Sequence, residues 1–342
     1  MMVKGSISKN LFSYATSELS QDAFLCWLLS HGDAESEGTK LHECALAMLR
    51  KMCGNACVPR EVIDIQRQNT HIDVMVEIIA DDNLHYHIII EDKTNTIQHD
   101  DQLRRYKGCV SKNVPEERII GVYYKSGLQG YLAEVSEAGY NILLRKDILE
   151  ILSPYASKSE SEILKDYFEH LYQTHNEAEK YRILPFEDWD WAQIEAFFDE
   201  LLLDENWCEF LDGYGYVANA QGGFYALCSK SIKIPNKPWE LYLQLEFCPK
   251  QAKICLKGTV DDPDIKTQSS LFIDTIVHRE KEAYAFKPWF ERPDRLISAH
   301  WMTFGVIELD TEGLYLDNIK IRVADAINGY QALRSSINNG NI

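Results

Sequence analysis

Two alternating runs constrain this chain more than any other feature: residues 72–80 (IDVMVEIIA) and 84–93 (LHYHIIIEDK), separated by Asp81-Asp82-Asn83. Such a triplet is a turn signal, so the runs predict an antiparallel hairpin. If the hairpin is symmetric about Asp82, Met75 stands opposite Ile89, Glu77 opposite His87 and Asp73 opposite Glu91. Facing residues share a face, and alternate residues share it with them. One face then carries Ile72, Val74, Val76, Ile78, Tyr86, Ile88 and Ile90, and predicts a core face. The other carries Asp73, Met75, Glu77, His85, His87, Ile89, Glu91 and Lys93.

The most apolar of these runs therefore ends in Glu91-Asp92-Lys93. An unpaired buried charge is costly, so either the strand surfaces at Glu91 or the charges have chemistry to perform. Two facing carboxylates repel unless one is protonated or a cation lies between them. Mg²⁺ suits such a pair, because it takes one or two carboxylates and completes its shell with water and substrate phosphate. Lys93, on the same face, could orient or deprotonate a water there. The spacing alone leaves both readings open, and a slip of one residue would turn Glu91 away.

The surrounding pattern is that of an α/β layer. Residues 17–30 have apolar positions at helical spacing, and a second amphipathic helix is expected from about Leu41 to Met52. Strands are expected at VIDIQRQ and RIIGVYYK, and a strand running into a helix at YNILLRKDILEIL. Helices are expected at QHDDQLRRYKGCV (98–110) and SESEILKDYFEHLYQ. This order predicts a mixed central sheet flanked by helices. Polar composition around 173–188 places a domain boundary there, giving domains 1–175 and 185–342. The second is expected to be α+β, with a helix at WAQIEAFFDELLL and a hairpin turning near Pro249-Lys250. Its tryptophans, among them Trp189, Trp239 and Trp301, read as core residues rather than base-stacking platforms.

Composition narrows the function classes. The net charge of −18 is spread along the chain and gives no long-range attraction to a polyanion, so nucleic-acid recognition would rest on a local site. No apolar run approaches the roughly 20 residues of a membrane span. The start, MMVKGSISKNLFSYATSELS, lacks the apolar core of a signal peptide. Nine scattered cysteines without a Cys-x-x-Cys read as reduced thiols, so a cytoplasmic protein is expected. Cys53, Cys57 and His42 fit no common zinc spacing.

The hairpin motif, IDV followed by IIIEDK, resembles the D…(D/E)-x-K core of the PD-(D/E)XK nuclease superfamily. QLRRY in the next helix matches the Q-x-x-x-Y element of the branch related to recombination exonucleases. SELSQDAFLCWLLS followed by HG, and the later VYYKSG, look like a bacterial family of uncharacterised PD-(D/E)XK proteins. The resemblance covers roughly residues 10–175, and Ile72 stands where the superfamily's proline would be. It implies a restriction-endonuclease-like core and an Mg²⁺- or Mn²⁺-dependent nuclease acting on nucleic acid, with DNA expected. It also implies roles for individual residues. Asp73 and Glu91 would be metal ligands, the Asp92 carbonyl a third, and Lys93 the catalytic lysine. Glu18 would complete the metal shell from the first helix, and Gln102 and Tyr106 would steady substrate. Arg104 and Arg105, with Lys107, are candidates for phosphate contacts, although Asp100 and Asp101 nearly cancel their charge. Glu77 opposite His87 reads as a cross-strand polar pair, and Asp64 as an acid on a preceding strand.

Other readings differ in class. A non-catalytic scaffold of the same fold would bind nucleic acid or a protein partner, and the acidic balance favours a protein; a homodimer is also open. A third reading is an RNA-directed effector in defence against phage. No Gly-rich nucleotide loop and no Ser or Cys nucleophile motif competes with these.

Overall fold

Ser17 opens the first helix: its side chain accepts the Ser20 amide, capping α1 (Glu18–Ser30). Thr39 caps α2 (Lys40–Cys53) in the same way through the His42 amide, and Gly54 ends that helix at a φ of 55°. The computed structural model describes residues 8–69, 71–94, 96, 101–130, 132–220, 222–277 and 289–338. The chain divides into two units, Met1–Asn176 and Glu177–Ile342.

The first unit continues with β1 (Pro59–Asn69), β2 (Ile72–Ala80), β3 (His85–Lys93), α3 (Gln102–Val110), β4 (Ile119–Lys125), α4 (Ala133–Glu137), β5 (Tyr140–Leu144), α5 (Arg145–Ala156) and α6 (Glu162–Ala178). Its five strands lie in sequence order; the first three are antiparallel and β3, β4 and β5 are parallel. This is a mixed sheet flanked by helices, consistent with a restriction-endonuclease-like fold.

The β2–β3 register pairs Met75 with Ile89 and Glu77 with His87. The turn is tied locally: Leu84 N and the Tyr86 hydroxyl both donate to the Asp82 carboxylate at 2.9 Å, and Asn83 takes the left-handed conformation at φ 60°. Val74, Val76, Ile78, Tyr86, Ile88 and Ile90 face a core closed by α1, α2, α5 and α6. Ile72, expected on that face, instead joins Ile89, Tyr106 and Ile119 in a cluster that takes in α3. The left-handed backbone at Gln68 and His71 (φ 54° and 71°) redirects the chain just before β2 begins. Along β3 and β4 the sheet is thus buried on both faces, as expected where parallel crossovers place helices over it. The helix expected over 98–110 is seen from Gln102; residues 98–100 lie outside the described residues.

The second unit contains α7 (Trp191–Leu203), β6 (Leu211–Val217), β7 (Phe224–Ser229), β8 (Ile232–Lys233), β9 (Trp239–Cys248), β10 (Gln251–Val260), α8 (Ile265–Val277), β11 (Trp301–Glu308) and α9 (Leu316–Asn338). Its sheet runs β11-β10-β9-β7-β6, with β8 paired to β9, and every pairing is antiparallel. Phe186, Trp189, Phe197, Phe198 and Phe247 form an aromatic core, and Trp239 stacks on Phe272 at 4.7 Å. A Cβ at Gly258 would lie 2.3 Å from the Phe304 ring, so glycine is required for that packing. Trp189 and Trp239 are core residues, whereas Trp301 is exposed, its ring edge-on to His300. Among the described residues no helix is long and apolar enough to cross a membrane.

Candidate active site

The hairpin ladder runs as far as Val74 opposite Ile90. One residue further, Asp73 Oδ2 accepts the backbone amide of Asp92 at 3.0 Å, which brings Asp73 to the end of β3 where the charged residues lie. Strand alternation then separates those residues. Glu91 and Lys93 share one face and pair at 2.5 Å, while Asp92 turns to the other. All three are buried, Glu91 completely. Apart from the Lys93 ammonium, neither Glu91 oxygen has a hydrogen-bond partner among the described residues. Burial, and then the charge of Asp73, push the Glu91 carboxyl up to about 7 against the pull of Lys93. Burial alone would lower Lys93, but Glu91, Asp73 and Glu18 outweigh it and raise the ammonium above its ordinary value.

Helix α1 presents Glu18, Gln21 and Asp22 at spacings of three and four, which is one helical face. Glu18 Oε1 accepts from Thr94 N at 3.0 Å and from the Thr96 hydroxyl at 2.6 Å. Burial would raise this carboxyl, yet those two donors and the charges of Lys93 and Lys125 bring it below its usual value. Gln21 donates to Asp92 Oδ1 and accepts from the Tyr167 hydroxyl at 3.0 Å, which in turn meets Tyr124 at 3.0 Å. Asp22 is nearly fully buried and accepts from Gln68 Nε2 at 3.0 Å; burial and then Asp73 push its carboxyl up. Asp92, buried beside Asp22, is held well above the ordinary carboxylate range, first by burial.

The loop after β3 is locked to the loop after β4. Lys125 is the register partner of Lys93, and its ammonium donates to the carbonyls of Thr94 at 2.9 Å and Thr96 at 2.7 Å. Ser126 N donates to the Lys93 carbonyl at 3.2 Å. A Cβ at Gly127 would stand 1.9 Å from the Thr94 carbonyl oxygen, so the KSG sequence permits this close approach.

On α3, Gln102 Nε2 donates to the Tyr106 hydroxyl at 2.7 Å. Tyr106 is buried; burial raises its hydroxyl, Gln102 opposes this, and the charges of Glu91 and Asp73 raise it further, so its ring lies within their field. Arg104 and Arg105 are exposed. Arg104 pairs with Asp101 at 3.3 Å, and among the described residues no contact joins either arginine to the acidic cluster. Lys107 is committed elsewhere, donating to the Ala138 and Gly139 carbonyls over the Tyr140 ring. Glu77 pairs with His85 at 2.7 Å rather than with His87 directly opposite, and Asp64 accepts from Gln66 at 2.6 Å. The His42 ring bonds the His31 carbonyl at 2.9 Å.

Sequence reasoning missed Gln21, Asp22, Gln68 and Lys125. Asp22 lies one helical turn beyond Glu18, a spacing visible in the sequence. Lys125 becomes visible only once β3 and β4 are known to run parallel in this register.

Among the described residues no three His, Cys, Asp or Glu side chains form a group able to hold a metal ion. Asp73 and Glu91 nevertheless fit Mg²⁺, an ion that takes one or two carboxylates and keeps waters. The wholly buried Glu91 carboxylate, whose one partner among the described residues is Lys93, carries that fit, since a cation would further offset its desolvation. Comparison with protein families matches residues 9–180 to the PD-(D/E)XK nuclease superfamily. Searches of curated proteins and of solved structures gave no match.

Proposed function

Since the chain belongs to the PD-(D/E)XK nuclease superfamily, we propose that it is a metal-dependent nuclease that hydrolyses phosphodiester bonds in DNA. The single observation that carries this reading is the gathering of Asp73, Glu91 and Lys93 at one strand end, with Glu91 wholly buried and paired with Lys93 alone among the described residues. Asp73, Glu91 and the Asp92 carbonyl would hold Mg²⁺ or Mn²⁺. The bound ion would supply Lewis acidity to the phosphate and stabilise the charge that develops on it. Lys93 carries three donor hydrogens. One is directed at Glu91, and the others would orient the attacking water and a phosphate oxygen. The water oxygen would bond to phosphorus as the bond to the leaving sugar oxygen breaks, the water's proton would pass to solvent, and the leaving oxygen would take a proton from solvent. Gln102 and Tyr106 would steady the substrate beside the site. Glu18 would act from α1, with Thr94 and Thr96 fixing its carboxylate. Arg104 and Arg105, exposed on α3, would reach the substrate backbone.

Residues 1–175 would form the nuclease domain, and residues 185–342 an accessory domain for substrate or partner recognition. The test is cleavage of supercoiled plasmid, linear duplex, single-stranded DNA and RNA with Mg²⁺, Mn²⁺ or EDTA, beside Asp73→Ala and Lys93→Ala. Cutting of DNA that requires metal and disappears in both variants is the expected result. Metal-dependent cutting that survives Asp73→Ala removes the assignment.

The net charge of −18 favours a second reading, a scaffold of the same fold that binds a protein partner without catalysis. A chain that cuts no substrate and takes up no Mn²⁺ in calorimetry, with the variants equally stable, would favour it.

A further inference from the structure

We propose that Gln68 is a positioning residue that fixes the carboxylate of Asp73; the proposal rests on the reading of Asp73 as a metal ligand. Gln68 Nε2 lies 3.0 Å from Asp22 Oδ2 and 3.3 Å from Asp73 Oδ1. Both partners are acidic acceptors, so the nitrogen of the amide must face them, and its two hydrogens serve one carboxylate each. The backbone explains how a residue of β1 reaches this place. Along an extended strand Gln68 would share a face with Asp64 and Gln66, whose side chains bond each other at 2.6 Å. The β1–β2 register that pairs Arg67 with Val74 and Asn69 with Ile72 sets Gln68 opposite Asp73, and Gln68 itself has a φ of 54°. Side chains other than glycine rarely adopt that conformation, and here it accompanies delivery of the amide to Asp22 and Asp73.

Asp22 is nearly fully buried, and its other oxygen, Oδ1, has no hydrogen-bond donor among the described residues. It is therefore an anchor on α1, and Gln68 is the link from that anchor to β2. Asp73 is held from two directions: Oδ1 accepts from Gln68 and Oδ2 from the Asp92 amide. With one donor on each oxygen the carboxylate has a fixed orientation, and each oxygen keeps a lone pair for a cation. Outer donors of this kind orient metal ligands, and their loss weakens metal affinity.

The experiment compares wild type with Gln68→Met, which keeps the length but not the donors, and Gln68→Asn, which withdraws the amide by one methylene. Mn²⁺ binding is measured by titration calorimetry, kcat and KM on the nucleic acid that the wild type cuts, and the unfolding midpoint in EDTA. The expected result is Mn²⁺ affinity weaker by about tenfold or more in both variants. A comparable fall in kcat, an unchanged KM and an unchanged midpoint should accompany it. Wild-type Mn²⁺ affinity in Gln68→Met would overturn the proposal, as would a fall in midpoint with affinity intact. A wild type that takes up no Mn²⁺ would instead overturn the reading of Asp73 as a ligand, and the role of Gln68 with it.

Discussion

Lys93 and Lys125 are direct partners in the parallel register of β3 and β4, yet their ammonium groups serve different oxygens. Lys93 meets the carboxylate of Glu91, and Lys125 the backbone carbonyls of Thr94 and Thr96. Neighbouring lysines at the same height in one sheet therefore divide between the buried Glu91 of the proposed site and the loop that frames it.

That division predicts opposite consequences for the two alanine variants. Lys93→Ala should lose metal-dependent cleavage by about 10²-fold or more, because transition-state charge loses its nearest ammonium. Lys125→Ala should lose stability instead, by about 2 kcal/mol or more, since two carbonyls of a closed loop lose their donor. Urea unfolding and single-turnover cleavage of both variants separate the effects; equal stability losses would contradict the division.

Asp92→Asn is expected to be tolerated. The amide oxygen still accepts from Gln21, and the new NH₂ faces the buried carboxyl of Asp22 in place of a second acid. Stability at neutral pH should rise by about 1 kcal/mol, with cleavage retained, because only the backbone carbonyl of this residue is proposed as a ligand. Loss of Mn²⁺ binding in this variant would assign the side chain a direct role.

Gly127→Ala places a methyl group on the Thr94 carbonyl, a backbone atom that cannot yield without moving the loop. A cost of about 1–3 kcal/mol follows from overpacking, together with slower cleavage as the strand end carrying Lys93 is displaced. A variant with wild-type melting and rate would show that the loop accommodates the methyl group.

In the second unit, Glu200 is ion-paired with Lys320 and Arg182 and accepts from Tyr181. Burial would raise its carboxyl, but these partners outweigh it and hold it below 4.5, its ordinary value. A carboxyl depressed in the folded state contributes its stability above the unfolded value and loses it as pH falls through the folded one. Wild type should therefore melt above Glu200→Gln at pH 6, and the gap should close as the pH falls below the ordinary carboxylate range and through the depressed folded value. A gap that persists in acid would assign the effect to packing rather than charge.

The hairpin was legible because its information is local: alternation fixes the faces, and Asp82 and Asn83 fix the turn. Asp73, Glu91 and Lys93 could be placed together from that register alone. What surrounds them was less legible, because it arrives from distant segments. Gln68 depends on a left-handed backbone that no alternation pattern announces, and the same redirection carries Ile72 to the cluster of Tyr106. Tyr167 reaches Gln21 across 146 positions of sequence. The family resemblance pointed to Glu18, and helical spacing from that residue would have added Asp22 one turn later.

The ion pair of Glu91 with Lys93 has a consequence for the order of events in the cell. Its positive member is built into β3 two residues from the negative one, so the strand end carries its own counter-charge from the moment the sheet forms. Assembly of the first unit would thereby not depend on an ion at the proposed site. Chelation should silence such a protein without melting it, and returning the ion should restore it at the speed of diffusion rather than of refolding.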